Sequence, residues 1–366
     1  MSKVEILTIH FGINHGSVLQ CYALSRTLED LGAEVEVIDY VPSRYKMWNN
    51  VVIKFPEKSL LWKVAYFFAS SIIRLPQKLI FRSYLKSHII LSRRFSTQTE
   101  LSANPPSADL YLVGSDQVWN SVYNGRADMS YFLGFAGKEA RRASYAASIG
   151  RDQLDEGEGS ELAAALDGFL GISVREARAS ELLSDVGVRT RVDLDPVFLF
   201  SRDRWMQLAS RRGMGRSYVL VYVIAQNYAD MISQAREVAD RLDCRLYVLS
   251  VKPIRTAEVD KNFIFSDPSD FLSLFSNARF VISNSFHGTA FSIIFHRDFL
   301  TYATKYNSRI ENILHYTGLE DRLVRDRYSE AQIIAPVQFE NADRAISAGT
   351  SFARQYLQGL LEVSGE

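Results

Sequence analysis

The chain has 366 residues, with 42 Lys plus Arg against 42 Asp plus Glu, so overall charge nominates no partner. That length exceeds the size at which one core usually stops growing, and two domains are the natural expectation. Cys21 and Cys244 belong to no CxxC or Cys/His cluster, which excludes a disulfide scaffold and fits small core residues in a reducing compartment.

The opening M-S-K-V-E-I-L-T-I-H turns straight into a strand without a basic segment or long apolar core, so a cytoplasmic location is expected. Val4 to Ile9 reads as that strand and His10 to Gly16 as its loop. A helix faced by Cys21, Leu24, Leu28 and Leu31 follows, then a strand from Val35 to Tyr40. This is a βαβ unit. The loop H-F-G-I-N-H-G lacks GxGxxG spacing and a Walker lysine, so a nucleotide reading is weak. Its glycines let a sugar or phosphate approach the backbone. His10 and His15, with Asn14 and Gly16 beside them, are candidate contacts to such a ligand, and a structural loop role competes for the histidines.

Residues 41 to 99 carry eleven Lys or Arg against the single acid Glu57, interleaved with aromatic and aliphatic residues. Such a basic helical insertion reads as a membrane-surface helix or a seat for an anionic head group, or as a solvated insertion packed on the domain. Its charges interrupt the apolar run too often for a transmembrane span, and no nucleic-acid motif accompanies it.

Asp109 to Val113 restores a parallel sheet and exits through G-S-D-Q-V-W-N. This puts Asp116 at a strand's carboxyl end, beside Gln117, Trp119 and Asn120. An aspartate there suits a base or a hydroxyl acceptor, and a local turn bond is the competing role. Ile172 to Val174 is a short strand leading through Arg175 into a helix from Glu176. Arginine at that corner can grip a carboxylate or phosphate, or pair with Glu176 or Glu181. The polar stretch Arg202 to Ser217, with Gly213 and Gly215, reads as an inter-domain hinge.

The second half alternates strand and helix again and reaches V-I-S-N-S-F-H-G-T-A-F-S-I-I-F, Val281 to Phe295. A buried strand runs into a helix here, with His287 in the corner between them. In an open α/β sheet this corner is where ligands bind, beside free backbone N–H groups. Lys305 and Arg309 add two cations one element later. The chain ends in a helix, Ala342 to Val363, that can cross between domains.

These motifs in this order resemble the polysaccharide pyruvyl transferase family. The resemblance runs through H-F-G-I-N-H-G-S-V-L-Q, V-G-S-D-Q-V-W-N, Y-A-A-S-I-G, I-S-V-R-E, D-L-D-P-V, S-N-S-F-H-G-T-A-F-S and N-S-R-I-E-N-I-L. It implies two doubly wound Rossmann-like domains facing across a cleft, as in B-type glycosyltransferases. The expected divisions are 1–200 with the insertion, 201–340, and a terminal segment 341–366. It also implies transfer of the pyruvyl group of phosphoenolpyruvate onto two hydroxyls of a sugar, as a cyclic ketal, with release of phosphate and no cofactor or metal.

By the resemblance, Arg175 and His287 hold the donor, with Ser285, Gly288, Thr289, Lys305 and Arg309 around it. His287 is the candidate acid, and Asp116 the base or acceptor ligand. Related enzymes often carry arginine where this chain has Ser285, and Lys305 or Arg309 are the candidates to compensate. The acceptor is a glycan or lipid-linked sugar, and residues 41–99 offer peripheral contact with the inner membrane face. A nucleotide-sugar glycosyltransferase and a noncatalytic glycan-binding or assembly subunit are the competing functions.

Overall fold

The computed structural model describes residues 1–124, 128–137, 139–211, 215–224, 228–304 and 308–362. Its amino half runs β1 (Lys3–Leu7), α1 (His15–Asp30), β2 (Glu34–Val37), α2 (Met47–Lys54), α3 (Leu60–His88), α4 (Gln98–Ala103) and β3 (Leu110–Val113). It continues through α5 (Ser121–Asn124), β4 (Arg142–Ser144), α6 (Glu158–Leu166), β5 (Ser173–Val174), α7 (Ala177–Ser184) and β6 (Arg191–Val192).

The strands β2-β1-β3-β4 form a parallel sheet. Parallel bridges Ala143↔Gly171 and Ala147↔Val174 continue it into β5 and β6, and Val37↔Leu91 and Tyr40↔Phe95 extend its other edge. The helical stretch expected over 41–99 thus ends at His88, and the residues after it return to the sheet. Arg93 and Arg94 hide this strand-like segment from a period-2 reading, because its edge position leaves their charged heads in water.

The carboxyl half contains α8 (Arg202–Leu208), β7 (Tyr218–Val223), α9 (Ala229–Arg241), β8 (Arg245–Ser250), β9 (Lys261–Phe263) and α10 (Pro268–Asn277). After these come β10 (Phe280–Ser283), α11 (Phe286–Ile294), β11 (Asp298–Tyr302), α12 (Ser308–Thr317), β12 (Leu323–Val324), α13 (Glu330–Ile334) and α14 (Glu340–Glu362). Its parallel sheet has the order β12-β11-β10-β7-β8-β9, the doubly wound arrangement read from its other edge. Every residue of the central strands β7 and β10 is buried, as helices on both faces of a parallel sheet require.

The stretch expected to be a hinge begins as helix α8. Trp205 is buried there, tilted against Phe200 and edge-on to Phe291, and its indole N–H donates to the Val197 carbonyl at 2.9 Å. The buried tryptophan packs the first part of that stretch, Arg202–Leu208, onto the core. Gly213 lies outside the described residues.

One apolar cluster runs through both halves, joining Val18 and Leu24 of α1 to Phe271 and Phe275 of α10 and Phe291 of α11. The helix α3 also crosses between them: Gln77 donates from Nε2 to the carbonyls of Val251 and Ile264 at 2.8 and 2.7 Å. The terminal helix α14 returns to the amino half, where Tyr356 donates to the Ser144 carbonyl at 3.0 Å. Among the described residues, no helix is long and apolar enough to cross a membrane.

Candidate active site

Asn14 ends the loop after β1 with its Oδ1 accepting from the N–H groups of Gly16 and Ser17, so α1 begins at the cleft floor. Gly16 then meets the opposite half. A Cβ on it would lie 2.1 Å from Cγ and Nδ1 of His287, so only glycine lets the imidazole rest on that backbone. His287 stands in the first turn of α11, whose N-cap is Ser285. It points back at the amino half.

The facing wall is built from strand ends. Asp116 follows β3 with a φ of 70°, in the left-handed region that a non-glycine residue holds only when its surroundings impose it. Ser17 donates to its Oδ2 at 2.5 Å and the Gln117 N–H to its Oδ1 at 2.9 Å. Arg175 follows β5 and donates from Nη1 to Asp195 Oδ2 at 2.6 Å. Its Nη2 lies 3.8 Å from Asp116 Oδ1 and its Nε 3.8 Å from Glu176 Oε2. Phe286 brings its ring to 4.6 Å from the guanidinium carbon, a contact made across the cleft. The His287 Nε2 lies 3.8 Å from Asp195 Oδ2.

Five buried ionisable groups therefore converge from two halves of the chain, and several of their polar atoms are unspent. The Arg175 Nε and Nη2, the Glu176 Oε2 and the His287 Nε2 are buried without a hydrogen-bond partner. Buried polar atoms in that condition are costly, and a bound polar molecule is the ordinary remedy. The cleft beside them has a volume of about 810 Å³ and is lined by Asn14, Asp116, Gln117, Ser285, His287 and Arg309, among others. That size suits a small ligand with part of a larger one.

Electrostatics divides the roles. Burial opposes ionisation of Asp116, but Arg175, His287, Ser17 and Arg309 together hold its carboxyl below the usual carboxylate range. Burial pushes the His287 imidazole down, and Arg175 and Arg309 add to this, against the pull of Asp195 and Asp116. The resting histidine is therefore neutral at neutral pH, and a nearby anion would raise its basicity. Arg309 feels burial first and Arg175 second, and both lower its pKa. Among the described residues it forms no ion pair. Arg175, by contrast, lies within 4 Å of three carboxylates.

Several expected acceptor contacts lie elsewhere. His10 is buried against Asp39, Nε2 to Oδ1 at 3.2 Å, and that aspartate also takes Arg94. His15 is locked in the seam between the halves, its Nε2 donating to the Ser266 carbonyl at 3.0 Å and its ring stacked on Phe271 at 5.1 Å. Trp119 donates to the Tyr131 carbonyl and stacks on Phe132, and with Asn120 it faces a separate cavity of about 650 Å³. Asn120 caps the short α5 by accepting from the Val122 N–H.

Two expected donor contacts are structural. A Cβ on Gly288 would come 2.1 Å from Ser283 Oγ, and Thr289 is spent on the Ser285 carbonyl and on Thr301. Lys305 lies outside the described residues.

Two residues that sequence reasoning left without a role complete the wall. Asp195 accepts from Val197 N–H and Ser115 Oγ as well as from Arg175. In the sequence it stands only within the D-L-D-P-V motif, which does not show what its carboxylate oxygens hold. Asn312, one turn after Arg309 on α12, accepts from Ala177 N–H at 3.0 Å and donates to the Arg175 carbonyl at 3.4 Å. The helix that delivers Arg309 thus also clasps the backbone of Arg175.

The fold is shared with a UDP-GlcNAc 2-epimerase from Methanocaldococcus jannaschii, at a TM-score of 0.52 and 11% identity over 97% of this chain and 99% of that one. It is shared equally with HepE from Anabaena in complex with UDP and glucose, at 0.51 and 9% over 99% and 96%. This is the B-type glycosyltransferase architecture of two Rossmann-like domains. No curated protein matches the chain. The model of the family described as polysaccharide pyruvyl transferase matches residues 14–306, and the chain belongs to that family.

Proposed function

We propose that the chain transfers the pyruvyl group of phosphoenolpyruvate to two hydroxyls of a sugar in a cell-surface glycan or its lipid-linked precursor, forming a cyclic ketal. The observation that carries this reading is the convergence of Arg175, Asp195, Asp116 and His287 at one cleft, with Arg175 and His287 nitrogens buried and unpartnered.

In this reading the donor's carboxylate and phosphate take the free Arg175 nitrogens, Arg309 and the amino end of α11, where backbone N–H groups and the dipole favour anions. Because Arg175 already lies within 4 Å of three carboxylates and Arg309 forms no ion pair among the described residues, Arg309 is the cation freer to meet the donor. It does so in place of the cation that related enzymes carry at Ser285. The dianionic phosphate raises the basicity of His287, which then carries the proton that passes to the donor's methylene carbon. The adjacent carbon becomes cationic and forms a bond to the first sugar oxygen, whose proton goes to Asp116, held ionised by its neighbours. The second hydroxyl then displaces phosphate, which leaves with that hydroxyl's proton. One hydroxyl proton is thereby matched by the proton gained at the methyl group, and the other leaves on phosphate.

The test is release of phosphate from phosphoenolpyruvate that depends on a glycan acceptor. A nucleoside diphosphate released from a nucleotide sugar, with phosphoenolpyruvate untouched, would overturn it in favour of glycosyl transfer. Tight glycan binding without turnover of either donor would make the chain a binding subunit.

A further inference from the structure

The helix α3 has two unlike faces. Gln77, Phe81, Tyr84 and Leu85 are buried against the body of the molecule. On the outward side Leu61, Phe68, Ile72, Leu75 and Leu79 are 84%, 66%, 75%, 50% and 60% exposed. Their spacing of seven, four, three and four residues puts them on one line along the helix, and Ala65, Ala69 and Pro76 fill the gaps without a charge. The line is roughly 27 Å long at 1.5 Å per residue. A contiguous apolar stripe of that extent on an exposed helix marks an interaction surface, since scattered exposed leucines would not align.

Charge selects the partner. Lys54 and Lys58 are exposed beyond the stripe's amino end and Lys86 at its carboxyl end, while helical periodicity puts Lys78 and Arg82 along one edge. The single acid in residues 41–99 is Glu57. A second copy of this chain would bring cation against cation at a two-fold interface. A flat anionic surface meets both features, taking the apolar line into its acyl boundary and the lysines at its head groups.

We propose that the outward face of α3 docks on the surface of an anionic lipid bilayer, lying in the interface rather than crossing it. This rests on the helix surface alone and is independent of the donor assigned to the cleft. If the acceptor is lipid-linked, the same helix, pinned to the carboxyl half through Gln77, holds the cleft near its substrate.

Sedimentation of the purified chain with vesicles of equimolar phosphatidylglycerol and phosphatidylcholine, and with phosphatidylcholine alone, tests the proposal. Partition onto the anionic vesicles is expected, and Phe68→Glu with Ile72→Glu lowers it at least about tenfold. Lys54→Gln, Lys58→Gln and Lys86→Gln together lower it by roughly 100-fold at low salt. Unchanged melting temperatures in both variants keep a folding defect from mimicking the result, because all five side chains are exposed. Partition that ignores both sets of changes would overturn the proposal. So would absence of vesicle binding together with a concentration-dependent dimer, by light scattering, that Phe68→Glu dissolves.

Discussion

The molecule holds two sets of cations that differ in every physical respect. In the cleft, Arg175 is buried within 4 Å of three carboxylates, while Arg309 is half-buried and forms no ion pair among the described residues. On α2, α3 and the turn between them, Lys54, Lys58 and Lys86 stand in water around an apolar stripe. Buried charges act singly and in fixed geometry, because low dielectric magnifies each interaction and each loss. Exposed charges act as a sum, since each is screened by salt and contributes little alone. Removing one buried arginine is therefore a different experiment from removing one surface lysine.

Arg175→Ala gives the largest effect. It strands Asp195 and Asp116 as buried, uncompensated carboxylates, so stability falls by about 3–5 kcal/mol in denaturant unfolding. Activity falls at the same time by roughly 1,000-fold or more through lost charge stabilisation. Arg175→Lys separates the two consequences: one charge is kept, so most of the stability returns, but the fork geometry is lost and transfer stays low.

Arg309→Ala breaks the comparison in the other direction. Burial and Arg175 oppose this half-buried cation while Asp116 and Glu176 favour it, so its removal changes melting temperature little. Transfer still falls by roughly 100-fold, chiefly as a higher KM for phosphoenolpyruvate, as loss of an anion contact of about 3 kcal/mol would give. A variant that lost stability with no change in KM would remove Arg309 from the donor site.

A pH titration of stability extends the contrast to histidine. Burial pushes His15 down from 6.5 to about 4, so the unfolded chain takes that proton first as pH falls. The stability contributed by neutral His15 is complete above pH 6.5, is lost progressively as pH drops toward 4, and amounts to roughly 3 kcal/mol. His15→Phe keeps a ring among Phe81, Tyr222 and Phe271 and flattens that acid limb. An unchanged limb would show that His15 is not the group responsible. Lys86→Gln gives the smallest effect, within about 0.5 kcal/mol at any pH.

How much of this was readable in the sequence depended on how local each signal is. The strand-to-helix corners carrying Asp116, Arg175 and His287 follow from apolar runs that end in glycine or polar residues, and the structure gathers those three. Arg309 was legible as a cation one element beyond His287. The roles of His10, His15 and Trp119 were not, because their partners Asp39, Ser266 and Tyr131 lie on other elements. Periodicity marks a residue as facing inward or outward but does not say whether its polar atom is already satisfied. Asp195 was not legible either, since one carboxylate oxygen accepts from the Val197 N–H while the other holds Arg175, a partner on another element. The outward stripe on α3 was visible only as a basic, aromatic-rich segment, because the alignment of its exposed leucines depends on which face the fold buries.

The central claim is that His287 protonates the donor's methylene carbon at this cleft, and the most direct measurement is transfer run in heavy water with the product methyl group examined by mass spectrometry. A ketal methyl carrying one solvent deuterium, formed by the wild-type chain and lost with His287→Gln, is the result predicted. A modified acceptor without deuterium at a methyl group, or full transfer by His287→Gln, would contradict it.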